Sequence, residues 1–147
     1  MFKRILVATD GSPLSRKAVA SAISLAAQNA AELVAVTVVP RYPTSYFEGA
    51  MTYSPDDIAR VEAQWADAAQ QKLDAVGARA KAAGVKVRTA ALSSDLIAES
   101  LVKAAKKYKC DLIVMASHGR KGIKRLLLGS ETQHVLTHCA LPVLVLR

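Results

Sequence analysis

Aromatic residues are scarce in this chain: they make up 5% of 147 residues, with one tryptophan and two phenylalanines. No zinc-finger, RNA-binding or basic-zipper pattern accompanies the formal net charge of +8. The positive balance therefore does not demand nucleic acid, and a nucleotide or another anion accounts for it as well. The two cysteines, Cys110 and Cys139, lack CxxC spacing, which argues against a disulfide framework or a zinc knuckle. Every apolar run falls far short of the ~18 residues that would span a membrane. Lys3 and Arg4 are followed only by Ile5 to Ala8 before Thr9-Asp10, too short for a signal-peptide core. These features predict a cytoplasmic chain with neither a membrane nor a nucleic-acid partner. Several chemical signatures are also missing: there is no GxxxxGK[ST], GxGxxG, GxSxG or HExxH.

What is present is enough for one core. Hydrophobic residues reach 52% and charged ones 22%, ordinary values for a globular domain, and the length predicts one domain over 1–147. Residues 3–8 read as a buried strand ending in Thr9-Asp10-Gly11-Ser12. Ser12-Pro13 opens a helix, cap first and proline next, which runs to about Asn29 on a stripe of Ala18, Val19, Ala22, Ile23 and Ala26. Leu33 to Val39 is a second strand. A long loop over 40–54 carries two prolines and most of the aromatic residues, a composition that suits a lid, an interface or simply a surface segment. Ser54-Pro55-Asp56-Asp57 starts a long helix whose stripe includes Trp65, assigned to the core, and Gly84 ends it.

Val85 to Thr89 alternates as an edge strand should. Ser93 or Ser94 then caps a helix whose buried side is Ile97, Leu101, Ala104, Ala105 and Tyr108, with Lys103, Lys106 and Lys107 on a solvated face. Leu112 to Met115 is a fourth strand and Pro142 to Leu146 a fifth. Strict alternation of strand and helix implies a doubly wound parallel sheet covered on both faces. In such sheets ligands sit beyond the carboxyl ends of the strands, where the strand order reverses. If the first and fourth strands flank that point, Thr9-Asp10 faces the loop after Met115. The last strand, apolar on both faces, predicts a homodimer formed through the edge Val143–Leu146.

The stretch from Leu112 to Cys139 is a strand, a small-residue basic loop and a new helix at Gly129-Ser130. Small residues let main-chain N–H groups approach an anion, and the first helical turn offers unpaired N–H groups of its own. Arg120, Lys121, Lys124 and Arg125 add positive potential. Simpler assignments stand beside this one. Asp10 serves a turn cap or a ligand; Ser130-x-x-Gln133 matches a capping box.

VATDGS near the start, SHG-x9-GS from Ser117 to Ser130 and PVLVLR at the end resemble the universal stress protein family over the whole chain. The sheet order expected is 3-2-1-4-5. That family's nucleotide signature is G-x2-G-x9-G-[S/T]; Gly119, Gly129 and Ser130 match it, while Ala116 replaces the first glycine. The resemblance implies an adenine nucleotide, ATP, ADP or AMP, with Mg possible beside ATP. It also implies roles: Asp10 on the ribose side with Ala8 and Thr9 next to it; Val38 meeting adenine by its backbone; Met115 and Ala116 lining the pocket. Gly119 would approach the phosphates through its backbone, with His118 and Arg120 beside it. Gly129, Ser130, Glu131 and Thr132 would supply N–H groups and hydroxyls. The methyl of Ala116 would crowd ribose or phosphate.

His134 and His138, four apart on the last helix with a buried stripe of Thr132, Val135, Leu136 and Cys139, have no evident third ligand, so no metal site is expected. Three functions remain in order: a dimeric nucleotide-binding stress-response regulator, in which ligand orders the loops 40–54 and 116–130; a nucleotide-free interaction module; and a slow ATPase. No general base or metal carboxylate pair stands out, so a dedicated enzyme is not expected.

Overall fold

A computed structural model describes residues 1–43, 54–119 and 128–147. Most of the 40–54 loop and all of Arg120, Lys121, Lys124 and Arg125 lie outside the described residues. Along the chain run β1 (Arg4–Ala8), α1 (Pro13–Asn29), β2 (Glu32–Val39), α2 (Pro55–Ala82), β3 (Val87–Ser93), α3 (Ile97–Lys107), β4 (Leu112–Ala116), α4 (Ser130–His138) and β5 (Val143–Leu146). The sheet is five-stranded and its order is β3-β2-β1-β4-β5, with every pairing parallel. The expected fold and strand order are therefore observed. Within this sheet β1 and β4, adjacent in space, are distant in sequence, so the strand order reverses between them.

Two apolar layers enclose the sheet. Ile5, Val7, Leu33, Ala35, Leu112 and Val114 face α1 and α2, while Leu6, Val34, Val36, Ile113 and Met115 face α3 and α4. The central strands are buried on both faces, which is why they read as continuous aliphatic runs rather than alternating ones.

The helix starts follow local rules. Ser12 Oγ accepts from Ser15 N–H and Ser54 Oγ from Asp57 N–H, each followed by proline at the first helical position. Past α2, Gly84 takes a φ of +73°, the left-handed end that glycine supplies. β3 lies further along than its alternation suggests. Val85 is buried against the end of α2, its N–H bonded to Ala80 O, so pairing starts at Val87 opposite Leu33 and continues through Ser93 opposite Val39.

The start of α3 also differs. Its cap is Leu96 with no side-chain bond of its own; Ser94 Oγ instead holds Leu96 N–H in a local turn. Ile97 and Leu136, expected inside, are 37% and 43% exposed. Trp65 is half-buried and stacks on Tyr42 with ring centroids 6.1 Å apart, rather than lying in the core.

Candidate functional site

The carboxyl ends of β1 and β4 open side by side. β1 leaves the sheet through Thr9, whose N–H bonds Val36 O on β2 and whose carbonyl accepts from Thr37 Oγ1 at 2.8 Å. Thr9 Oγ1 lies 3.2 Å from Ser15 Oγ and accepts from Gly11 N–H. With Thr9, Ser12, Ser15 and Thr37 all buried, this hydroxyl knot rigidifies the β1–α1 turn. Gly11 at φ +79° supplies the left-handed step.

Asp10 projects from that turn. Its Oδ1 accepts from Ser12 N–H at 2.9 Å, an Asx-type turn. Its Oδ2 faces Gly119 so closely that a Cβ on Gly119 would sit 2.7 Å away. The two ends of the switch point are thus in contact, as expected from their place in the chain. Ala8 and Met115 end their strands nearby, and Val38 stands two residues past Val36, beyond the end of β1.

The β4–α4 connection is closed at its neck. Ser117 N–H continues the β4–β5 ladder to Leu146 O, and Ser117 O accepts from Gly129 N–H at 2.7 Å. Thr132 Oγ1 lies 3.0 Å from Ala116 O and 3.2 Å from Ser117 O, sharing one proton between two carbonyls. A Cβ on Gly129 would stand 2.9 Å from Ser117 O and 3.3 Å from His118 Cα, so close approach of backbone requires glycine there. His118 Nδ1 lies 3.1 Å from Ser117 Oγ, a bond that braces the loop.

α4 then begins. Its cap is Gly129, with Gln133 N–H bonding Gly129 O and no side-chain cap bond. Ser130 is therefore the first helical residue, not the cap of a capping box. The N–H groups of Ser130, Glu131 and Thr132 precede the first intrahelical bond and form the positive end of the helix. Glu131 turns elsewhere: its Oε2 accepts from Ala98 N–H at 2.9 Å, capping α3. Of the residues assigned by resemblance, the structure brings Thr9, Asp10, Ala116, His118, Gly119, Gly129 and Thr132 into one network. It commits the Thr132 hydroxyl and the Glu131 carboxylate to protein partners, and Arg120 is outside the described residues.

Ala116 departs from the glycine pattern without strain. Positive φ among described non-glycine residues occurs only at Ala30 and Lys109, so Ala116 holds an ordinary strand conformation, in register with Leu146. Residues missed from sequence are Thr37 and Lys72. Thr37 carried a signal, a buried hydroxyl inside an aliphatic strand. Lys72 carried none; its Nζ reaches Asp10 O at 3.5 Å across 62 positions.

His134 and His138 stack at 4.1 Å, with His138 Nδ1 3.0 Å from His134 O. No group of three or more metal-ligating side chains occurs among the described residues. Burial pushes the Cys110 thiol up to about 11.

A doubly wound parallel sheet with an acid on one strand end and a glycine-necked helix start on the next defines an α/β protein whose strand order reverses between β1 and β4. The universal stress protein family model matches residues 1–147, and the chain belongs to that family. Universal stress protein MJ0531 of Methanocaldococcus jannaschii is 34% identical over 147 residues, spanning 100% of this chain and 83% of that one. Among solved structures, that of hypothetical protein MJ0577, from the same organism, superposes with a TM-score of 0.83 at 26% identity, covering 99% and 96% of the two chains. A universal stress protein in complex with cAMP superposes with a TM-score of 0.72 at 27% identity, covering 99% and 97%.

Proposed function

We propose that this protein binds an adenine nucleotide, ATP or AMP, across the β1–β4 switch point and acts as a dimeric stress-response regulator in the cytoplasm. The observation that carries the reading is the apposition of Asp10 with Gly119 beside the N-terminus of α4, which has no side-chain cap bond among the described residues. A carboxylate suits ribose hydroxyls and repels phosphate; helix N–H groups suit phosphate. The two lie where one nucleoside phosphate presents both chemistries. The cAMP complex of a related protein supports an adenine ligand for a site of this kind.

The residues present fit such a ligand. Asp10 would hold ribose, Val38 the base through its main chain, and Ser130 to Thr132 the phosphates by N–H groups. Mg²⁺ would arrive on ATP with its phosphates and waters, since the described residues hold no carboxylate cage. Occupancy would change the loop surfaces over 40–54 and 116–130 that partners meet. The β5 edge, with Leu144 39% exposed, would pair two copies. The protein works by binding rather than as a dedicated enzyme, with at most slow ATP hydrolysis.

One observation favours a second reading, a nucleotide-free module of the same fold. Gly119, Gly129 and Thr132 each have a packing duty that needs no ligand. Mass spectrometry of small molecules released on denaturing natively purified protein separates the two. An adenine nucleotide near one per chain is expected. No nucleotide, together with no thermal shift on adding ATP, ADP, AMP or cAMP, leaves the second reading standing.

A further inference from the structure

At the end of the sheet opposite β5, β3 has a partner on one side only among the described residues. Leu33 N–H bonds Lys86 O, Ser94 N–H bonds Val39 O, and Leu33 is in register with Val87. In a parallel ladder this parity turns the main-chain groups of the even positions, Arg88, Ala90 and Leu92, toward β2. The N–H and C=O groups of Val87, Thr89, Ala91 and Ser93 therefore point outward along an open edge.

Side chains alternate with the same period. Ala90 and Leu92 pack with the α3 layer, so Arg88, exposed, belongs to that face. α3 does not cover it fully. An open groove of about 460 Å³ remains between β3 and α3, floored by Leu92, Ala104 and Tyr108 and walled by Lys103 and Lys107. Both lysines are exposed, and Lys107 Nζ sits 5.5 Å from the Tyr108 ring centroid. None of Arg88, Lys103 and Lys107 joins an ion pair among the described residues. Among the described residues no nearby acid pairs with these cations: Glu99, one turn before Lys103, forms no ion pair with it, and the carboxylate of Asp111, four after Lys107, faces Lys3 N–H and Arg4 N–H instead.

We infer that the β3 edge and the β3–α3 groove together bind an extended acidic segment of a partner protein by strand addition. The outward main-chain groups would supply the ladder, and the three cations would select acidic side chains at every second position. A second copy of this chain is a poor occupant, because two such edges would bring like charges together. The surface is independent of the nucleotide reading: it is built from β3 and the outer face of α3, not from the β1–β4 crevice.

The test uses the whole protein and a labelled, end-blocked peptide of seven residues, the length of β3, alternating glutamate and valine. Fluorescence anisotropy is expected to show saturable binding that weakens with added salt. K103E/K107E should weaken it about tenfold or more. A91P should do the same, because it deletes an outward N–H and leaves the β2–β3 ladder intact. Hydrogen exchange on the unmodified protein should show Thr89, Ala91 and Ser93 amides protected by the peptide, a readout that survives if A91P does not fold. The inference is overturned if the lysine-for-glutamate peptide binds equally, if a single-stranded DNA of equal charge binds as tightly, or if those amides gain no protection. Loss of nucleotide binding would leave this result unmoved, so the two readings fail separately.

Discussion

The Glu131 carboxylate on the first turn of α4 accepts the Ala98 N–H at the start of α3 across 2.9 Å. One helix start thus offers N–H groups to the switch point while its own acid closes the neighbouring helix, which has no side-chain cap of its own. Glu131→Ala removes that acceptor and leaves the N-terminus of α3 uncapped. The expected loss is about 1 kcal/mol, or roughly 2–4 °C in Tm for a chain of this size. Glu131→Gln, which keeps an oxygen in place, should recover part of it. Calorimetry of the two variants decides: equal Tm for Glu131→Ala and the parent protein would show that the cap carries no stability.

Thr132 holds the neck of the β4–α4 loop. Its hydroxyl is 2% exposed with its residue and lies between Ala116 O and Ser117 O. Thr132→Val keeps the volume and strips the donor that Ala116 O accepts, while Ser117 O keeps the Gly129 N–H. That costs about 1–3 kcal/mol. Thr132→Ser retains the donor and should lose less. Chemical unfolding measures both, and a valine variant as stable as the parent would remove Thr132 from the account of the neck.

Much of this fold was legible because its signals are local. Ser12-Pro13, Ser54-Pro55 and Gly84 mark helix ends through neighbours two or three positions away, and the aliphatic runs of β1, β2 and β4 follow from burial on both faces. The departures come from contacts that sequence spacing does not carry. Val85 alternates with Val87, yet its N–H is captured by Ala80 O at the end of α2, so β3 begins later. Ser130 and Gln133 stand at capping-box spacing, but Gly129 occupies the cap because only glycine fits against Ser117 O. Leu136 sits on the apolar stripe of α4, but that helix has nine residues and packs chiefly through Thr132 and Val135. Within the site, Asp10 and Gly119 could be placed opposite each other from the strand order alone. The Glu131–Ala98 cap, 33 positions apart, could not.

The two thiols should behave differently. Cys110 is buried, and desolvation raises its pKa from 9.0 to about 11; Cys139 is half-buried. At pH ~8 a thiol reagent should label Cys139 first, with Cys110 reacting only through opening of the fold. The pH dependence follows in sign. Below 9.0 the thiol is protonated in both states and its contribution is complete. As pH rises through the window to about 11, the unfolded chain gives up its proton first and stability falls. Cys110→Ala should show a shallower decline over that window than the parent protein. Equal labelling rates at the two cysteines, read by intact mass, would contradict the burial argument.

Gly119 and Ala116 test the nucleotide site from opposite sides. A Cβ on Gly119 meets Asp10 Oδ2 at 2.7 Å, with no positive φ to forbid alanine on backbone grounds. Gly119→Ala therefore acts on Asp10, forcing the carboxylate away and straining its bond to Ser12 N–H. Stability should drop by only about 0.5–1.5 kcal/mol, the worth of one hydrogen bond. If Asp10 holds ribose, AMP and ATP affinity should fall about tenfold or more, equivalent to about 1.4 kcal/mol. Ala116→Gly relieves no strain, since Ala116 already has an ordinary φ. It should cost roughly 0.5–1 kcal/mol of stability by loosening a strand end and move affinity by less than about threefold. Titration calorimetry of both variants reads the outcome. Unchanged affinity in Gly119→Ala would take Asp10 out of the ribose role, and a tenfold gain in Ala116→Gly would show that its methyl stands in the ligand's path.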